Sequence, residues 1–234
     1  MTDKKQIIAF MGLKTCGKDY NSQPYISIGY KKIALADPLR EVAWNILGYN
    51  PEKTGNIPYN DFKNCNLSAE VEHKFMGLLP YYTDVKITSI RKILQNIGTE
   101  FKRLFGTDYW CNLWYDSVVK SGENVVVTDV RFSNEILKVL ELKNAGYNVT
   151  FIWCQYENAN YNKILADKHE SELLNQFIYY NRDKYRLNDG CVIKEDVLKR
   201  ILEDFEKYYN QIAKSGSYNE LGEKPLITLD KGKP

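Results

Sequence analysis

The chain contains only two histidines, and its five cysteines (Cys16, Cys65, Cys111, Cys154 and Cys191) are scattered with no Cys-x-x-Cys pair. This argues against a zinc site and makes reduced thiols, rather than a disulfide framework, the expectation. No apolar run approaches the ~18 residues that a membrane-spanning helix needs. Neither sign of charge dominates. The 32 Lys and Arg against 30 Asp and Glu leave +2, which argues against an extended nucleic-acid surface while leaving room for local basic clusters. Internal repeats are absent. Met1-Thr2-Asp3-Lys4-Lys5 leads straight into an apolar strand, so no signal peptide is expected and the cytoplasm is the expected compartment. What remains is ordinary for a globular protein: 44% hydrophobic and 26% charged residues in a chain of 234. That length suits one large α/β domain, or one domain with lid insertions.

The most informative stretch is Gln6 to Tyr20. Ile7 to Met11 is a short apolar run, the pattern of a buried parallel strand. It ends in Gly12-Leu13-Lys14-Thr15-Cys16-Gly17-Lys18-Asp19, which matches the phosphate loop G-x-x-x-x-G-K-[ST] at every position but the last. Gly12 and Gly17 allow backbone angles closed to other residues, so the N–H groups of Lys14, Thr15, Cys16 and their neighbours can turn inward on a phosphate. Lys18 adds positive charge and the following helix start adds a dipole. Asp19 replaces the hydroxyl that would bind Mg2+. A carboxylate beside phosphates is expected to hold the ion through water. Pro24 predicts a short helix, Lys18 to Gln23.

Further along, Lys31 to Ala36 reads as a strand. Asp37-Pro38 then starts a helix running to Leu47, Asp37 serving as cap. Tyr49 to Lys86 is irregular and rich in Pro, Asn, Gly and Tyr, which suggests a substrate-side insertion. Thr88 to Phe105 is a helix with an apolar face of Ile90, Ile93, Leu94, Ile97, Phe101 and Leu104, interrupted by Gly98. Another helix covers Asp108 to Val119. Asn124 to Asp129 reads as a strand with an acid at its carboxyl end. A helix from Ser133 to Ala145, a strand Asn148 to Trp153, a polar lid at 154–168, a helix from His169 to Tyr180, a strand Cys191 to Ile193 and an amphipathic helix Glu195 to Ile212 complete the pattern. The βαβ order predicts a parallel sheet flanked by helices. The expected organisation is a core of residues 1–48 and 86–212, an insertion at 49–85 and a tail at 213–234.

Several separated blocks share one order: Gly12-x-Lys14-x-x-Gly17-Lys18-Asp19, Leu35-Ala36-Asp37-Pro38-Leu39, Arg91-x-x-Leu94-Gln95-x-x-Gly98-Thr99 with Arg103 and Trp110, Asp129-x-Arg131-Phe132-x-Asn134-Glu135, His169-x-Ser171-Glu172 and Asn188-Asp189-Gly190. Over about residues 6 to 202 this set resembles the deoxynucleoside monophosphate kinases of tailed bacteriophages, within the wider nucleoside monophosphate kinase family.

The resemblance implies a P-loop NTPase-type parallel sheet with a substrate-binding insertion and a lid, working in the host cytoplasm. It implies transfer of the γ-phosphoryl group of ATP to a deoxynucleoside 5′-monophosphate with Mg2+. On this reading Lys18 holds the β- and γ-phosphates, and Arg91, Arg103 and Arg131 clamp the monophosphate as guanidinium forks. Gln95 and Trp110 contact the base, Asp37 and Thr99 line the substrate site, and Asp19 and Asp129 hold Mg2+ through water. The expected partners are ATP and deoxynucleoside monophosphates, with no nucleic-acid polymer and no membrane; a homodimer is left open. The sequence also departs from the family. Tyr20 stands where a hydroxyl residue is usual, Gln155 stands where relatives often carry Arg, and 154–168 holds Lys163 and Lys168 but no Arg. Two alternatives therefore stay open: a degenerate nucleotide-binding protein, acting as sensor or assembly partner without turnover, and a kinase for another acceptor such as dephospho-coenzyme A.

Overall fold

Ile7 to Met11 form a strand with no polar position, and such a strand is stable only when covered on both faces. The computed structural model describes residues 4–47, 93–94, 97–98, 102, 104–156, 165 and 170–214, and it places this strand, β1 (Gln6–Met11), at the centre of a sheet. The elements that follow are α1 (Lys18–Ser27), β2 (Lys31–Lys32), α2 (Asp37–Leu47), α3 (Tyr109–Ser121), β3 (Val125–Val127), α4 (Ser133–Glu141), β4 (Asn148–Trp153), α5 (Glu170–Tyr180), α6 (Arg182–Tyr185), β5 (Val192–Ile193) and α7 (Glu195–Lys214). The chain divides into two compact units, Met1–Ile33 with Ser121–Pro234, and Ala34–Lys120. The expected insertion at 49–85 lies outside the described residues.

In the first unit the strand order is β2-β3-β1-β4-β5. β1 pairs in parallel with β3, Ile7 opposite Val125 and Ala9 opposite Val127. On its other side it pairs in parallel with β4, Gln6 opposite Asn148 and Met11 opposite Trp153. Ile7, Ala9, Phe10, Met11 and all three valines of β3 are buried, so this is a mixed α/β unit with a mostly parallel sheet flanked by helices. Chain connections leave β1 toward β2 on one side and β4 toward β5 on the other. Such a divergence opens a crevice at the carboxyl ends of neighbouring strands.

Four expectations need correction. β2 covers Lys31 and Lys32 only. Ile33 still donates its N–H to Val126 O at 3.1 Å, after which the chain leaves the sheet edge. The two exposed lysines protect that edge from further pairing. β5 runs antiparallel to β4, because the chain enters it beside the end of β4: Gly190 N–H donates to Trp153 O at 2.8 Å and Trp153 N–H to Cys191 O at 3.0 Å. α4 stops at Glu141 and a series of turns carries the chain to Gly146. α1 continues through Pro24 to Ser27. Proline there removes the N–H that would reach Tyr20 O, and other bonds hold the turns around it. Ser22 Oγ donates to Asp19 O at 2.7 Å, Gln23 Nε2 to the same oxygen at 3.3 Å, and Ser27 Oγ to Pro24 O at 2.8 Å.

In the second unit, α2 runs from Asp37 to Leu47, so Asp37, expected as the cap, is the first helical residue. Asp37 accepts the Ala34 N–H and the Arg40 guanidinium, each at 2.7 Å. Ile93 and Ile97 are fully buried. A Cβ on Gly98 would lie 3.5 Å from Leu39 Cδ2, an ordinary contact, so packing does not demand a glycine there. Among the described residues no helix is long and apolar enough to cross a membrane.

Pro24 is exposed, so replacing it costs no packing. Pro24→Ala is expected to stabilise the protein by about 1–3 kcal/mol by restoring a helical hydrogen bond. Urea unfolding measures this, and an unchanged or lowered midpoint would show that the proline is not a burden on α1.

Candidate functional site

The loop between β1 and α1 begins at a point of very close packing. Gly12 has φ of 140°, and a Cβ there would fall 2.3 Å from Cys154 O and 2.6 Å from Cys16 Sγ. Only glycine fits. At the other end, Gly17 takes φ of 86° at the start of α1. Thr15 between them has φ of 61°, a left-handed conformation that costs a non-glycine residue about 1–2 kcal/mol. Lys14 is exposed. The Lys18 ammonium folds back over the loop and donates to Gly12 O at 2.7 Å and Leu13 O at 2.6 Å, with Cys16 Sγ at 3.6 Å.

The buried polar side chains converge on this end of the sheet. Thr128, just past β3, donates its hydroxyl to Asp19 Oδ1 at 2.8 Å, and Lys32 reaches the same oxygen at 2.7 Å. Partial loss of hydration works to raise the Asp19 pKa, but the bonds from Lys32 and Thr128, with the charges of Lys32 and Lys18, outweigh it and hold the carboxyl below its usual range. The group is therefore ionised at neutral pH, and its pairing is lost only as the pH falls through that lowered value. Asn175, on α5, accepts the Gly12 N–H at 3.1 Å and donates to Val130 O at 3.2 Å. Also on α5, Glu172 accepts Arg131 Nη1 at 2.6 Å. Glu135 takes the N–H groups of Arg131 and Phe132 at 2.6 and 3.0 Å, which caps α4 and fixes the backbone from which Arg131 projects.

Two buried thiols meet at the loop, Cys16 within it and Cys154 just past β4. Burial pushes Cys154 up to about 11, and it accepts from Asn21 Nδ2 at 3.4 Å. Burial also raises Cys16, more than the nearby Lys18 lowers it. Both are therefore poor nucleophiles at neutral pH. Gln155 N–H donates to Asp189 Oδ1 at 2.7 Å, tying the end of β4 to the turn before β5. The Gln155 side chain accepts the Trp153 indole N–H at 3.3 Å.

Of the residues singled out in the sequence, Gly12, Lys14, Thr15, Cys16, Gly17, Lys18 and Asp19 form this loop, and Asp129 and Arg131 follow the Thr128 that meets it. Asp37 and Trp110 belong to the second unit. Trp110 is buried there and donates its indole N–H to Gly98 O at 3.1 Å. Arg91, Gln95, Thr99 and Arg103 lie outside the described residues, as does most of 154–168. Thr128, Lys32 and Asn175 join the site without belonging to the residues singled out in the sequence: Thr128 extends a run of β-branched strand residues, and Asn175 lies in no motif.

Among the described residues no group of three or more His, Cys, Asp or Glu side chains could hold a metal ion. Magnesium asks for less, one or two carboxylates with water and phosphate oxygens. Asp19 fits that requirement. Both its bonds converge on Oδ1, so Oδ2 has no partner among the described residues, and the side chain is 74% exposed.

Gly12→Ala should destabilise the protein by about 2–4 kcal/mol, combining a disfavoured φ with a backbone clash. Gly146→Ala, at φ of 89° with nothing near its Cβ, should cost about 1–2 kcal/mol. Equal losses in urea unfolding would mean that the Cys154 carbonyl does not confine Gly12.

No protein-family model matches the chain, and no curated protein matches it.

Proposed function

We propose that the protein is a deoxynucleoside monophosphate kinase, transferring the γ-phosphoryl group of ATP to a deoxynucleoside 5′-monophosphate to supply DNA precursors. The observation that carries the reading is the loop: two positive-φ glycines flank it, it lies between a central parallel strand and a helix start, and the Lys18 ammonium is held over it at 2.6–2.7 Å from two of its carbonyls. Such a loop offers a helix start with its dipole and a cation resting on neutral carbonyls, which together suit polyphosphate.

Phosphoryl transfer needs positioning and charge rather than covalent help from the protein. An oxygen of the acceptor monophosphate attacks the γ-phosphorus, and the bond to the β–γ bridging oxygen breaks to leave ADP. Lys18 would exchange the carbonyls of Gly12 and Leu13 for phosphate oxygens. Arg131, with Arg91 and Arg103, would hold the acceptor phosphate and spread the developing charge. Asp19 and Asp129 would hold Mg2+ through water, and the bound ion would neutralise phosphate charge. Asp37, Gln95, Thr99 and Trp110 would shape the acceptor site.

One observation favours a second reading, a nucleotide-binding protein without turnover. The charged groups of the loop already have internal partners, Lys18 on carbonyls and Asp19 on Lys32. We favour a working but slow kinase, because Lys18, Arg91, Arg103, Asp129 and Arg131 are all present.

A coupled ADP assay with MgATP and each of the four deoxynucleoside monophosphates should show turnover. Lys18→Ala should lower it by about 10²–10³, the scale for one preorganised charge contact, without loss of fold. If no monophosphate is phosphorylated in single-turnover experiments while ATP still binds tightly, the kinase reading fails and the binding-protein reading replaces it. An unchanged rate in Lys18→Ala would remove the loop from the chemistry.

A further inference from the structure

The helix Glu170–Tyr180 is buried continuously from Glu172 to Ile178. A helix serving only as packing would fill such positions with apolar residues, as this one does at Leu173, Leu174, Phe177 and Ile178. Glu172, Asn175 and Gln176 are buried among them, at 3%, 1% and 8% exposure. Buried polar groups are costly unless paired, and a buried carboxylate is costlier still. Two of these three are paired to the site described above.

The Asn175 amide spans two backbones. Its oxygen takes the Gly12 N–H and its nitrogen donates to Val130 O, at 3.1 and 3.2 Å. A primary amide supplies an acceptor and a donor on one rigid plane, and only this orientation of it satisfies both partners. Gly12 leaves β1 and Val130 follows β3, and these strands are neighbours. One helical turn earlier, on the same face, Glu172 holds Arg131 Nη1 at 2.6 Å, with Ser171 Oγ at 3.5 Å. Among the described residues Nε and Nη2 of Arg131 have no hydrogen-bond partner. The guanidinium is thus pinned at one nitrogen and keeps a second edge for an anion.

We infer that this helix sets the position of the loop and of Arg131 relative to one another, with Asn175 and Glu172 as positioning residues for phosphate binding. The inference rests on the nucleotide-binding reading of the loop. Asn175 fixes where the loop begins and where the Val130–Arg131 segment turns. Glu172 fixes the direction in which Arg131 presents its open edge. Neither residue touches a phosphate itself.

Calorimetry with MgATP and with each of dAMP, dCMP, dGMP and dTMP, together with amide exchange at Gly12 by NMR, tests this. Glu172→Gln keeps the shape and removes the charge. It should weaken monophosphate binding by about tenfold, the scale of one charge-assisted hydrogen bond, and leave ATP affinity within about twofold. Asn175→Ala should weaken both ligands and strip Gly12 of its exchange protection. Asn175→Asp keeps the acceptor for Gly12 but loses the donor for Val130. It should retain Gly12 protection while weakening the monophosphate, and it decides the matter if the alanine variant does not fold. Affinities unchanged in folded variants would reduce the helix to mere support and overturn the inference, as would Gly12 protection that survives Asn175→Ala. A wild-type protein that binds neither ATP nor any monophosphate would sink the functional reading by itself, and the inference with it.

Discussion

Where β1 ends, the space beside the backbone admits a hydrogen atom and nothing larger. The Cys154 carbonyl stands 2.3 Å from where a Cβ on Gly12 would be, because β1 and β4 are paired in register to their last residues, Met11 opposite Trp153. The next residue of each strand must therefore pass the other closely: Cys154 N–H donates to Met11 O at 2.8 Å. Much of the loop follows from that contact. Gly12 takes a φ open only to glycine, its N–H turns toward Asn175, and its carbonyl is left for Lys18. A larger residue would have to separate two central strands whose side chains are fully buried.

The second constraint is charge. Lys18, Arg131 and Asp19 each meet a protein partner. The partners differ in what they permit. The carbonyls facing Lys18 are neutral dipoles and can yield it to a stronger anion. Glu172 is a nearly buried carboxylate facing a guanidinium that is 37% exposed, and it could not easily be left unpaired. A phosphate arriving at this site would thus draw Lys18 away from the loop but would share Arg131 with Glu172. The ammonium is a compact cation on a flexible stem, while the guanidinium can bond on two edges at once.

Much of this was legible in the sequence, for local reasons. The apolar run of β1 and the valines of β3 announce themselves because a strand buried on both faces must be apolar throughout, and the strand Asn148–Trp153 is marked by the apolar run Phe151-Ile152-Trp153 at its buried end. Gly12, Gly17 and Lys18 are legible because the backbone angles and charge they provide are tied to residue type. What could not be read depends on contacts between distant segments. The antiparallel direction of β5 is set by a turn at Asn188–Gly190 docking on Trp153. The persistence of α1 past Pro24 depends on hydroxyl and amide side chains bonding nearby carbonyls, which outweighs the rule that proline ends a helix. Asn175 is one of three buried polar residues on its helix, with Glu172 and Gln176, and nothing in its neighbours says that it bridges two segments far away in sequence.

The aspartate after Lys18 can be understood in the same way. A hydroxyl at this position is small, neutral and able to lie directly on a metal ion. A carboxylate brings charge close to the phosphates proposed to bind here, and that repulsion has to be offset. Two neighbours supply what is needed: Lys32 brings the opposite charge, and Thr128 brings a hydroxyl from the next strand. Both engage Oδ1, so among the described residues the carboxylate is held by one oxygen only. Lys32 belongs to the short edge strand, where a lysine already serves to block further pairing. The aspartate in the loop and the lysine at the sheet edge are therefore parts of one arrangement, since removing either would leave the other without its ion pair.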